Sequence, residues 1–166
     1  MSTFSLAGSE RNPLPGSRSV GRADPAERLE VTLLVRRRAA VAFADAAVRL
    51  HRRDRSPMRL GRREFAENFG SDGRDVAIVT AFAERHGLQV VQRSDVRRTV
   101  VVAGTVAQAE RAFGVALHTF EYAEGSYRGH VGALSLPSEL RGVVTAVLGL
   151  DDRPQAKPHI RLRSAG

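Results

Sequence analysis

Histidine is the residue type best suited to chemistry in this chain, and there are five: His51, His86, His118, His130 and His159. None forms an H-x-x-x-H or H-E-x-x-H pair, and no carboxylates cluster beside them at the spacing that would put metal ligands on one helix face. His86 stands before Gly87 and reads as a helix end, while His118 and His130 read as strand residues. A structural or surface role is the better reading for each. Cysteine is absent, which removes thiolate nucleophiles, disulfides and Cys-based metal sites together. The run GSDGRD at 70–75 lacks the lysine and the preceding strand of a phosphate loop, and no G-x-S-x-G elbow occurs. Neither a cofactor nor a metal is expected.

Charge is the second possible source of function. The net charge is +8, and residues 49–63 supply seven arginines (Arg49, Arg52, Arg53, Arg55, Arg59, Arg62 and Arg63) against the single acid Asp54. Only one lysine, Lys157, occurs in the whole chain. The blandest reading of the arginine run is a solvated face. A docking surface for an acidic partner protein comes next, and nucleic acid last.

The elements that must position these residues are legible from periodicity. At 166 residues with 42% hydrophobic content, the chain fits one domain with flexible ends. No apolar run approaches the roughly 20 residues of a membrane span. The N-terminus shows no basic stretch followed by an apolar one, so no secretory signal is visible. Residues 1–26, with Ser, Gly and Pro and no period, read as a disordered arm. Leu29, Val31, Leu33 and Val35 alternate with Glu30, Thr32 and Leu34 as a strand. Helical spacing runs over 39–53 and 62–69, then after Asp72 through Val76, Val79, Ala83 and His86, with Gly87 as the stop.

LQVVQ and TVVVAG predict an antiparallel pair, and Thr105 with Gln108 a capping box for a helix over 106–113. VALHTFEY and SYRGHV predict two more strands about a turn at Glu124–Gly125. Leu140, Val143, Val144, Val147 and Leu148 fall at i, i+3, i+4, i+7 and i+8. With Pro137 before them and Gly149 after, they predict a C-terminal helix. Pro154 and Pro158 make the remainder an extended, exposed tail.

The order β-α-α-β-β-α-β with a terminal helix predicts an α+β fold. It is a ferredoxin-like split βαβ, an antiparallel sheet with helices on one face and an extra helix in the first crossover. The other face of the sheet is left free and needs polar residues or a partner. RNA-recognition domains share this topology but stack bases on aromatics of the central strands. LEVTLLV and TVVVAG have none, so nucleic acid is set aside.

Six stretches stand in a specific order: REFAENFG, FAERHGL, VVVAGTVAQAERAFGVAL, GSYRGHVGALSLP, VVTAVLGLDDRP and PHIRLR. Together they resemble the activation domain of the pro-kumamolisin type, the propeptide of the sedolisin (S53) serine-carboxyl peptidases, across roughly residues 28–163. FAERHGL and AFGVAL also serve as ordinary helix ends, whereas GSYRGHVG and VLGLDDRP are harder to explain by folding needs alone. No Gly-Thr-Ser type nucleophile motif of that family is present, since Gly104-Thr105 is followed by Val106. The chain alone is therefore not expected to be an enzyme.

The resemblance implies an intramolecular chaperone and inhibitor with residues 27–150 as the activation domain and 151–166 as a linker toward a peptidase domain. The free sheet face would pack on the peptidase, and Lys157, Pro158, His159, Ile160, Arg161, Leu162 and Arg163 would occupy its substrate cleft. By position His159–Ile160 corresponds to a family processing bond. Arg49, Arg52, Arg53, Tyr127, Arg128 and His130 are the docking candidates, and protonation of partner carboxylates, with His130 or His159, would loosen docking in acid. The partner is a sedolisin-type peptidase in cis or in trans, with no membrane involved; the family implies secretion. The alternatives are a stand-alone trans-acting peptidase inhibitor or the remnant of a truncated peptidase gene.

Overall fold

A computed structural model describes residues 2–39, 43–44, 47–48 and 67–154. Most of the predicted helices over 39–53 and 62–69 lie outside the described residues, as does the whole arginine run of 49–63; residues 43–44, 47–48 and 67–69 are helical. The strands are β1 (Thr3–Ser5), β2 (Arg18–Arg22), β3 (Arg28–Val35), β4 (Gln89–Ser94), β5 (Thr99–Thr105), β6 (His118–Tyr122), β7 (Gly125–Gly129), β8 (Ser135–Pro137) and β9 (Val144–Leu148). Two fully described helices, α1 (Gly73–Arg85) and α2 (Val106–Phe113), stand between them.

The main sheet has the antiparallel order β4-β5-β3-β9. This is the ferredoxin-like order, and the α+β prediction holds. Alternation decides its faces. Leu29, Val31, Leu33 and Val35 of β3, with Val100 and Val102 of β5, are buried. They meet Val79, Phe82 and Ala83 of α1 and Val106, Ala109, Ala112 and Phe113 of α2 in one core. Each such valine or leucine adds about 1.5–3 kcal/mol by leaving water. Both helices therefore lie on the same side.

Their ends are those the sequence predicts. Asp72 caps α1 by accepting from the Arg74 amide at 2.8 Å. Thr105 and Gln108 form the reciprocal capping box, and Gly114 closes α2 in the left-handed region at φ 57°.

Two expectations fail. The predicted C-terminal helix is absent: Ser138–Leu140 make a short 3₁₀ turn and Val144–Leu148 are the edge strand β9. Gly142, at φ 72°, interrupts any helix between Leu140 and Val143, and the β-branched Val143, Val144, Thr145 and Val147 suit a strand. It is β9, not the strand over 115–122, that completes the ferredoxin-like sheet.

Residues 2–26 are likewise not a disordered arm. β1 pairs with β8, and β2 joins a separate three-stranded sheet of order β2-β6-β7. Leu6 and Ala23 enter the core. These strands are short and polar, and their partners lie more than a hundred residues later or nearly so, where no local pattern could reveal them.

Candidate functional site

The centre of the main sheet's face opposite the helices is built mostly from small, β-branched and leucine side chains. β3 contributes Thr32 and Leu34, β5 Thr99, Val101 and Ala103, and β9 Ala146 and Leu148. Thr32 lies opposite Leu148 and Leu34 opposite Ala146, so these side chains share one surface. Leu148 is 52% exposed, and the others are half-buried although they occupy a sheet whose opposite face is fully covered. Arg28 and Glu30 form a charged rim at one end. β4 adds Gln89, Gln92 and Ser94, opposite Ala103, Val101 and Thr99, so the small and apolar centre of the face is bordered by polar side chains. A surface with such a centre and such a border can accept another layer of secondary structure.

At the edge of the same sheet the chain leaves β9 through Gly149. Its φ is 100°, and a Cβ there would stand 2.4 Å from the Glu30 carbonyl oxygen, so only glycine lets the chain pass β3. The next residues are fastened. The Asp152 amide donates to the Arg128 carbonyl at 3.0 Å, and the Arg128 amide donates to Asp152 Oδ1 at 2.6 Å, which ties the chain to the edge of β7. The Arg128 side chain, only 10% exposed, pairs with Glu27 and donates to the Leu150 carbonyl.

Asp151 folds back onto Arg153, accepting from its amide at 3.0 Å and from its Nε at 2.8 Å. Arg153 in turn donates to the Asn12 carbonyl at 3.0 Å and stands 5.4 Å from the centre of the Tyr127 ring. Gly129 makes room for this turn, since a Cβ there would meet Asp151 Oδ2 at 2.9 Å.

The docking candidates Tyr127, Arg128 and His130 all lie inside the domain. Tyr127 is stacked on Phe120, and its hydroxyl accepts from the Leu14 amide at 2.9 Å. His130 is 4% exposed, and among the described residues its buried Nδ1 has no hydrogen-bond partner. Burial pushes the His130 imidazole below its ordinary value. Asp151 and the Gly132 backbone oppose that shift, and the charges of Arg11 and Arg153 add to it.

For Asp151 burial acts to raise the carboxyl, but the hydrogen bonds and charge of Arg153, with His130, outweigh it and the net direction is down. Arg153 is raised, chiefly by its hydrogen bonds to Asp151. Arg49, Arg52 and Arg53, and the tail residues Lys157, Pro158, His159, Ile160, Arg161, Leu162 and Arg163, lie outside the described residues. Sequence reading missed Asp151, Arg153 and the N-terminal residues that meet them. Its one signal was the DDRP run, an acid two places before an arginine and stopped by proline.

The family model described as pro-kumamolisin, activation domain, matches residues 15–153, from the approach to β2 through to the Asp151–Arg153 turn. The chain belongs to that family. The pro-kumamolisin activation domain is the propeptide of sedolisin-type peptidases. The chain is 36% identical over 163 residues to kumamolisin of Bacillus sp. (strain MN-32), covering 95% of this chain and 29% of that protein. It is 27% identical over 166 residues to tripeptidyl-peptidase sed5 of Aspergillus fumigatus, covering 90% of this chain and 29% of that one. The chain thus spans less than a third of the length of either peptidase, and the part it matches in kumamolisin is the activation domain rather than the catalytic domain.

Proposed function

We propose that this activation domain is a folding chaperone and inhibitor of a sedolisin-type peptidase domain, acting in cis or in trans and without catalysis of its own. The observation that carries the reading is the uncovered apolar face of Thr32, Leu34, Val101, Ala103, Ala146 and Leu148. A face of that kind gains stability by packing on a partner's helices, and it presents the partner with a preformed template.

Lys157 to Arg163 then act as a peptide-like segment in the substrate cleft, with His159–Ile160 as the processing bond. Pro158 limits the entropy lost when the segment is held extended. Tethering it to a docked domain raises its effective concentration to the order of millimolar. Arg49, Arg52 and Arg53 supply charged contacts at the margin of the interface.

The test is to titrate the 166-residue protein, and a version ending at Pro154, against a mature sedolisin-type peptidase at mildly acid pH. The reading requires potent inhibition by the full chain and weaker inhibition, with binding retained, once 155–166 are removed. Lack of any binding by the folded protein would refute it.

A further inference from the structure

The start of the C-terminal tail is not free. Asp151–Pro154 is held by two parts of the chain at once: β7, through Arg128 and the aromatic ring of Tyr127, and the N-terminal segment, through the Asn12 carbonyl. That N-terminal segment is itself secured, because the Leu14 amide donates to the Tyr127 hydroxyl and Arg11 pairs with Gly132. Arg153 is the hub. Its Nε and one terminal nitrogen donate to the two oxygens of the Asp151 carboxylate and its other terminal nitrogen to the Asn12 carbonyl, with the guanidinium carbon 5.4 Å from the ring centre. A bidentate, planar cation of this sort fixes direction as well as distance.

Apolar burial does not call for the arrangement. Core packing is complete at Leu150, the last residue of the hydrophobic cluster, and the chain beyond it contributes no buried apolar side chain among the described residues.

We propose that Arg153 is a positioning residue: with Asp151, Tyr127 and the Asn12 carbonyl it sets the direction in which the tail leaves the domain, and so the register in which residues 157–163 enter a peptidase cleft. This rests on the cleft occupation proposed above and adds the device that aims the segment. It also gives the N-terminal residues 11–17 a part in inhibition, as the strap against which Arg153 is held. Without it four more residues become part of a loose linker, and the cleft segment must be ordered at each encounter.

The experiment is a double-mutant cycle on the full chain. Arg153→Gln and removal of 155–166 are made singly and together, and inhibition of a mature sedolisin-type peptidase is measured for each. Hydrogen exchange of the Asp152 amide is followed in the free protein, with the β3 and β5 amides as internal controls of folding. The expected result is inhibition weakened on the order of tenfold by Arg153→Gln in the full chain, with almost no effect of the same change once 155–166 are gone. Faster exchange at Asp152, with β3 and β5 unchanged, accompanies it.

A merely structural role predicts equal losses in both backgrounds and would overturn the proposal, as would undiminished inhibition by the full-length variant. If Arg153→Gln lowers protection of β3 and β5 as well, Asp151→Asn replaces it in the same cycle under the same criteria. Should removal of 155–166 leave inhibition intact, the cleft reading itself fails and takes the proposal with it. That outcome is distinct from a tail that matters and an Arg153 that does not.

Discussion

At the scale of single residues, His130 carries the sharpest consequence. It is buried, with Nδ1 unpartnered among the described residues, and the charges of Arg11 and Arg153 add to the effect of burial against that of Asp151, so its neutral form is the one the fold favours. The unfolded chain takes up this proton near the ordinary value of 6.5, the folded chain only at lower pH. Stability should therefore fall as pH drops below 6.5, because the unfolded state binds more protons there. Asp151 adds a second loss: its depressed carboxyl contributes above its ordinary value of 3.8 and ceases to as pH falls through and below it. Thermal melts between pH 7 and 5 should show a decline that His130→Gln flattens. A variant that melts with the same pH slope as the parent would remove His130 as the cause. Arg36, by contrast, is raised through its hydrogen bonds to Asp75 at 2.6 and 3.0 Å and titrates too high to contribute in this range.

Among the elements, those written locally were legible and those completed at long range were not. α1 and α2 could be placed because Asp72, Gly87, the Thr105–Gln108 box and Gly114 each act within one turn of the residue they serve. β3 and β5 could be read because one of their faces is buried throughout, which forces strict alternation. β9 misled because five apolar residues in nine fit a helical stripe as well as a strand with a bulge at Thr145, and only pairing with β3 decides between them. The anchored turn at Asp151–Arg153 was hidden for the same reason, since its partners Asn12 and Tyr127 are distant in sequence. Gly149 offers a test of this strand passage. Gly149→Ala should cost roughly 2–4 kcal/mol, from a strained φ and a Cβ pressed on the Glu30 carbonyl, measurable by chemical denaturation. A loss below about 0.5 kcal/mol would mean that β9 leaves β3 by another path.

For the whole molecule, the division of the sheet into a covered and an uncovered face makes binding separable from folding. Val101→Asp and Ala103→Arg change only the uncovered face, so they should leave the melting temperature within a few degrees while reducing peptidase binding at least tenfold in titration calorimetry. Unchanged binding by both would move the interface elsewhere on the domain. The N-terminal strands bear on a different matter, the timing of synthesis. Ser9 Oγ accepts from the Leu134 amide 125 residues later, and Thr145 Oγ1 reaches the Leu34 carbonyl across 111. A chain emerging from the ribosome exposes β1, β2 and β3 long before β8, β6 and β9 exist to cover them. Contacts this far apart are slow to form and leave unpaired strand edges in the interim. The domain proposed to assist another's folding thus depends on its own last-made residues, and it can become a template only once nearly all of it has been translated.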